Sequence, residues 1–159
     1  MTEKARNKGV NIIYFTAEDK IKISDDIVFT ALSPDERTFM YAKNNNDSGI
    51  VLKLDYGKSS FLFTGDISAT IEKHLIKEKG EKLKADVLKV AHHGSKNSTH
   101  KEFLDVVRPD YSFISVGKNN NGHPSDRVMD GLKDIGSEVY RADIHKDVTF
   151  YFDKEGIKG

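Results

Sequence analysis

Three short segments concentrate the side chains that could do chemistry: Gly65-Asp66, His92-His93-Gly94-Ser95 and Gly122-His123-Pro124. Asp66 follows Phe61-Leu62-Phe63-Thr64-Gly65, an apolar run ended by a glycine. A carboxylate in that position is either a ligand or a helix cap that accepts backbone N–H groups, a role worth typically about 1 kcal/mol. His92 and His93 follow the apolar run Val87–Ala91. Successive strand residues point to opposite faces, so only one of the pair enters a given site unless the chain has already turned. Gly94 permits such a turn. Imidazole is both the commonest side-chain metal ligand and a base near neutral pH; the plainer reading is a solvated pair in a loop. His123, before Pro124, is either a ligand or substrate contact, or a loop histidine bonded to backbone. The other three histidines are weaker candidates. His74 lies on a charged helical face and reads as solvated. His100 lies at a helix N-terminus, where the helix dipole disfavours a cation. His145 reads as part of a hairpin loop.

Several other chemistries are excluded by composition. The chain of 159 residues has no cysteine, so any metal must be held by histidine and carboxylate. No glycine-rich stretch of the P-loop or dinucleotide type is present. Ser95 and Ser115 lack the surroundings of a nucleophile elbow. Lys plus Arg and Asp plus Glu both number 25, so bulk charge gives no reason to expect nucleic acid or an anionic membrane as partner. No apolar stretch approaches the roughly 18–20 residues that span a bilayer.

The elements that must position these residues follow from periodicity. Asn11–Thr16, Lys20–Ser24 and Asp26–Leu32 read as strands, and Asp35–Asp47 as a polar loop. Gly49–Tyr56 and Ser59–Thr64 read as a hairpin across Gly57-Lys58. The grammar then alternates. Ser68–Glu78 has helical spacing with Ser68 as N-cap and Gly80 at its end. Val87–Ala91 is a strand. Thr99–Val107 is a helix, with Thr99 and Glu102 in a capping-box pattern. Tyr111–Val116 is a strand, Ser125–Ile135 a helix ended by Gly136, and Glu138–Ala142 and Asp147–Phe152 are closing strands. Alternation predicts an α/β layer, a mixed sheet with helices on one face. In such layers function sits in the loops after strand C-termini, where the three loaded segments fall.

Read in order, Asn45-Asn46-Asp47-Ser48-Gly49-Ile50-Val51-Leu52, Phe61-Leu62-Phe63-Thr64-Gly65-Asp66, Ala85-Asp86-Val87-Leu88-Lys89-Val90-Ala91-His92-His93-Gly94-Ser95 and Ile114-Ser115-Val116-Gly117 through Gly122-His123-Pro124 form a specific set. The set resembles the metallo-β-lactamase domain of the competence proteins that import DNA, over about residues 44–152. The resemblance implies a four-layer αββα fold with a two-metal hydrolytic centre holding zinc or manganese. By motif, Asp66 matches the carboxylate that bridges two metals, and His92 a histidine ligand, with His93 as its neighbour or substitute. Asp66 and His92 are then the catalytic candidates, and Asp66, His92 and His93 the metal candidates. Ser48, Ser95 and His123 are the candidates for substrate contact, with Asn46 at the same polar position as Ser48.

One departure is as informative as the match. The family's histidine- and aspartate-rich cluster of the H-x-[HD]-x-D-H kind is absent, and residues 1–43 contain no histidine. The resemblance therefore implies that this single domain, residues 1–159, is the C-terminal half of the fold, without the N-terminal metal-binding half as its partner. The expected function is part of a metal-dependent phosphodiesterase or nuclease acting on DNA, weak or inactive in this chain alone. Two alternatives stand beside it. One is a non-catalytic module that forms a homodimer through its exposed sheet face, and the other is ester or lactone hydrolysis on the same fold. No membrane contact is expected from this segment.

Overall fold

The computed structural model describes residues 2–158. After a short helix α1 (Thr2–Asn7) come strands β1 (Lys20–Lys22) and β2 (Ile27–Ser33), and helix α2 (Glu36–Tyr41). A 3-10 turn (Asn45–Ser48) leads into the hairpin of β3 (Val51–Tyr56) and β4 (Ser59–Phe63). Then helix and strand alternate: α3 (Ala69–Lys79), β5 (Val87–Lys89), α4 (Lys101–Val107), β6 (Tyr111–Ile114), α5 (Asp126–Asp134) and β7 (Glu138–Arg141). Helix α6 (Ala142–His145) and a separate ribbon of β8 (Tyr151–Asp153) and β9 (Gly156–Lys158) close the described chain.

The seven strands β1 to β7 lie in sequence order in one mixed sheet. β1 to β4 run antiparallel, and β4 to β7 parallel. Crossovers between parallel strands are right-handed in nearly all proteins. Because β4, β5, β6 and β7 step steadily in one direction, the three crossover helices must all land on the same face. The core shows this. Leu62, Leu88 and Ile114 from the strands pack with Ile71 and Leu75 of α3, Phe103 and Leu104 of α4, and Val128 and Leu132 of α5. The alternate strand residues, Leu54, Phe61, Phe63, Val87 and Phe113, face the other way. They line a cavity of about 430 Å³ that the segment 148–152 covers in part. The protein is thus an α/β layer, one mixed seven-stranded sheet with helices on one face, as expected. Leu62 is fully buried, whereas its neighbour Phe63 is 38% exposed. Leu62→Ala should cost about 3 kcal/mol of stability and Phe63→Ala under about 1 kcal/mol. Urea unfolding of the two variants checks this; equal losses would mean that both sheet faces are closed.

Several expectations about the elements fail. Asn11–Thr16 is not a strand, and Ile13 and Tyr14 stand 82% and 70% exposed. The residue types favour a strand, but a strand needs a partner, and β1 pairs only with β2. The polar stretch 35–47 is not all loop, because Asp35 and Thr38 cap α2 reciprocally. Thr99 does not cap α4. His100 is its N-cap, and the carboxylate of Glu72 in α3 takes the Thr99 and His100 amides instead. The segment 147–150 is irregular, and only Tyr151–Asp153 pairs, with β9 rather than with the main sheet.

His74 corrects the reading as a solvated residue. It is 6% exposed, and its Nε2 lies 3.0 Å from both carboxylate oxygens of Asp35. Lys73, Lys77 and Glu78 of α3 are exposed, but the loop before α2 folds over the His74 side of the helix. Burial alone would raise the Asp35 pKa. The Thr38 amide and hydroxyl and the His74 ring outweigh it and hold the carboxyl below its ordinary value of 3.8. Because the folded-state pKa is depressed, this stability is present above that ordinary value and is lost as pH falls through the folded value. Asp35→Ala should therefore cost about 2 kcal/mol near pH 7, combining a lost cap with a stranded buried imidazole. The gap to the parent chain should begin to narrow only as pH falls below the ordinary value of 3.8, and close below the depressed folded-state value. Urea midpoints at the two pH values measure it, and a gap that persists at low pH would sink the assignment.

Candidate metal centre

The three loaded loops meet at the C-terminal ends of the parallel strands. Gly65, with φ of 55°, turns the chain sharply after β4, and its carbonyl accepts the His92 amide at 3.0 Å. That bond ties the loop after β4 to the loop after β5. After β5 the backbone enters the left-handed region at two successive non-glycine residues, His92 (φ 50°) and His93 (φ 55°), and continues through Gly94 (φ 82°). Such conformations are uncommon outside glycine and cost of order 1–3 kcal/mol each. They are held here by bonds on both sides: Ser95 N donates to His92 O at 2.9 Å, and Ser125 N to Gly94 O at 2.9 Å.

This turn decides which histidine faces Asp66. His93 Nε2 lies 3.8 Å from Asp66 Oδ1, with both side chains partly open to solvent. Its Nδ1 lies 2.5 Å from the Ser115 carbonyl. A carbonyl can only accept, so Nδ1 donates to it; this is the kind of bond that orients metal-binding histidines and leaves Nε2 as the ring atom toward Asp66. The His92 ring lies 6.4 Å from that of His93 and 5.9 Å from that of His123. His123 Nδ1 is buried without a hydrogen-bond partner among the described residues.

The carboxylate of Asp66 does not cap α3. The N-cap is Ser68, whose amide donates to Asp47 Oδ1 at 3.1 Å. Asp47 is 1% exposed and also accepts the Lys43 amide at 2.9 Å. Burial pushes its carboxyl up, but the Ser68 and Lys43 bonds prevail and its pKa falls below the ordinary value. Asp47 therefore anchors the loop that carries Asp66, while its neighbour Ser48 is only partly buried at the end of the 3-10 turn. Asn46 is exposed, and its amide bonds to the Asn44 side chain at 2.9 Å. Ser95 is 3% exposed, with its hydroxyl accepting the Asn97 amide at 3.3 Å.

A cavity of about 460 Å³ opens beside His93, lined also by Ser115, Gly117, Asn119, Asn121 and His123. Asn119 closes its loop with all of its bonding capacity. Its amide donates to Gly117 O at 2.9 Å and His123 O at 2.8 Å, and its oxygen accepts from Asn121 N at 3.0 Å and His123 N at 3.1 Å. Asparagine next to a glycine-rich turn is a readable loop signal, but which of three consecutive asparagines organises the turn is not. Lys89 lies on the open sheet face. Burial pushes its amino group below the ordinary value, against the pull of the Asp66 charge.

The donor chemistry fits a divalent ion. A carboxylate and the Nε2 of an imidazole face each other, and Nδ1 of a second imidazole, His123, is buried without a hydrogen-bond partner among the described residues. Among the described residues, no three His, Asp or Glu side chains are gathered closely enough to enclose an ion.

The sequence matches the pattern of the Metallo-beta-lactamase superfamily over residues 6–118. It is 36% identical to ComE operon protein 3 of Bacillus subtilis over 94% of this chain. It is 33% identical to competence protein ComA of Neisseria gonorrhoeae over 84%, and 32% identical to recombination protein 2 of Haemophilus influenzae over 99%. The chain spans 19% of the length of each of these relatives. Among solved structures, CmlA beta-hydroxylase (E377D mutant) superposes with a TM-score of 0.54 at 14% identity, covering 83% of this chain and 32% of that one, which is a likeness of fold. No helix among the described residues is long and apolar enough to cross a membrane. Family pattern, ordered motifs and sheet topology agree, and the chain belongs to the metallo-beta-lactamase superfamily.

Proposed function

We propose that this chain carries one side of the centre of a metal-dependent phosphodiesterase or nuclease. Asp66 and His93 are donors to zinc or manganese, His92 is their neighbour in the same shell, and His123 faces the substrate cavity. The observation that carries this reading is the approach of His93 Nε2 to Asp66 Oδ1 at 3.8 Å while Nδ1 is committed to Ser115. A divalent ion, when bound, supplies charge neutralisation at a phosphoryl group and activates water near neutral pH. The protein's own share is to fix the Asp66 and His93 donors, to orient His93 through Ser115, and to shape the cavity through Asn119. Relatives named a competence protein and a recombination protein make a nucleic-acid phosphodiester the first substrate class to test.

Manganese titration followed by electron paramagnetic resonance, with hydrolysis of bis(p-nitrophenyl) phosphate and of single-stranded DNA, tests this reading. Saturable binding is expected, weakened on the order of tenfold or more by His93→Gln. Turnover by the chain alone should be slow, because two facing donors fall short of a full coordination sphere. Absence of saturable binding of either manganese or zinc, or binding indifferent to His93→Gln, would sink it. Faster turnover of a simple ester or lactone than of either phosphodiester would move the chemistry to ester hydrolysis.

The open sheet face favours a second reading, in which the face joins two copies of the chain. Phe61, Phe63 and Phe113 lie on it under partial cover, and apolar patches of this kind mark contact surfaces. Light scattering should then give a dimer that Phe63→Lys returns to monomer. A monomer at all concentrations would end this reading.

A further inference from the structure

The segment Lys96–His100 follows the histidine turn and is gripped from two helices at once. From α5, the guanidinium of Arg127 donates to three of its carbonyls: Lys96 O at 2.9 Å, Thr99 O at 3.2 Å, and Ser98 O. From α3, the carboxylate of Glu72, only 1% exposed, accepts the Thr99 amide and the His100 amide, the latter at 3.0 Å. The Thr99 residue thus bridges a buried anion and a cation, its N–H toward one and its C=O toward the other.

That bridge holds a conformation the sequence disfavours. Thr99 has φ of 56°, in the left-handed region, and a β-branched residue is a genuine outlier there. It is 1% exposed, and its hydroxyl has no partner among the described residues. Strain of this kind persists only where the surroundings over-determine it. The strained Thr99 is linked through Ser98 and Ser95 to the equally unusual turn at His92 and His93. Ser98 N donates to Ser95 O at 3.1 Å, and Ser95 N to His92 O at 2.9 Å, while Ser98 Oγ donates to Ile67 O at 2.7 Å beside Asp66.

We infer that Arg127 and Glu72 are positioning residues, which clamp Thr99 in a strained turn and through it hold the His92–His93 backbone so that His93 faces Asp66. Neither residue touches the site. The effect on metal binding rests on the proposed metal-binding role of Asp66 and His93; the effect on the backbone does not.

The test uses the full chain with Arg127→Met, Thr99→Gly and the double variant. Glycine adopts φ near +56° without strain, so it makes the clamp dispensable. Amide hydrogen exchange of Ser95–His100 should quicken about tenfold or more in Arg127→Met, while Leu62 and Leu88 amides stay within about twofold. Manganese affinity should fall about tenfold in the same variant, and the double variant should recover both. The glutamate arm follows the same logic: Glu72→Gln keeps the acceptor oxygen but drops the charge, and should give a smaller loss of the same pattern. Equal quickening of the strand amides, or no recovery in the double variant, would reduce Arg127 to a general contributor to stability. Loop exchange that quickens while manganese affinity stays unchanged would overturn the positioning role. If the unaltered chain binds no manganese, the metal reading falls, and the exchange pattern with its glycine rescue alone decides the clamp.

Discussion

Asp66→Asn is expected to remove manganese or zinc binding while leaving the fold intact. The substitution is nearly isosteric, so packing does not change. It removes the negative charge that His93 Nε2 faces at 3.8 Å, and it replaces a carboxylate by a poor metal ligand. Loss of even an outer partner of a metal ligand typically costs 10–100-fold in affinity. Loss of the carboxylate itself should cost on the order of 100-fold or more on that scale. Stability should stay within about 0.5 kcal/mol, the usual range for a surface position outside caps and cores. Asp66 has no capping duty, because Asp47 takes the Ser68 amide at the start of α3. Calorimetric titration with manganese, alongside a thermal melt, separates the two effects. A large drop in melting temperature with unchanged metal affinity would make Asp66 a structural residue, and the proposed centre would lose its carboxylate.

Gly94→Ala should be the most damaging single methyl group near the site. A Cβ there would stand 2.5 Å from Pro124 Cβ and 2.9 Å from Pro124 Cα. The neighbour is a proline ring and its backbone, which cannot swing aside. Gly94 also has φ of 82°, where an L side chain is strained. Overpacking and backbone strain together should cost about 3 kcal/mol, a fall in Tm of roughly 6–12 °C for a domain of this size. The same methyl group would push Pro124 away and with it His123, parting the His92 and His123 rings that now lie 5.9 Å apart. Gly122→Ala is the matched control. Its φ is 71°, with nothing within 4 Å of the added carbon, so it reports backbone strain alone, about 1 kcal/mol. Equal losses in the two variants would mean that the loops after β5 and β6 are not packed together.

Much of this arrangement was already written in the order of the residues. The hairpin of β3 and β4 follows from two alternating apolar runs around Gly57-Lys58. The helices α3 and α5 follow from 3.6-residue spacing that ends in glycine. Steady alternation of strand and helix, with right-handed crossovers, places the three crossover helices on one face of the sheet. It also places Asp66, His92, His93 and His123 at the same end of the sheet, because each lies in the loop after a strand of the parallel part. Local pattern is enough for these features, since each depends on neighbours within a few residues.

The partners across the site were decided only by the fold. Alternation along a strand cannot say which of His92 and His93 faces Asp66, because the backbone leaves the strand at Ala91 and turns left-handed through both. That turn is stabilised by contacts from residues far along the chain, Ser115, Ser125 and, through Thr99, Glu72 and Arg127. His74 looked solvated for the same kind of reason, since its partner Asp35 lies 39 residues earlier. Asn11–Thr16 has the composition of a strand but no neighbour to bond with, and hydrogen-bonding partners are a property of the folded molecule. Spacing brought the chemical groups to one end of one sheet; long-range capping and packing chose which atoms meet there.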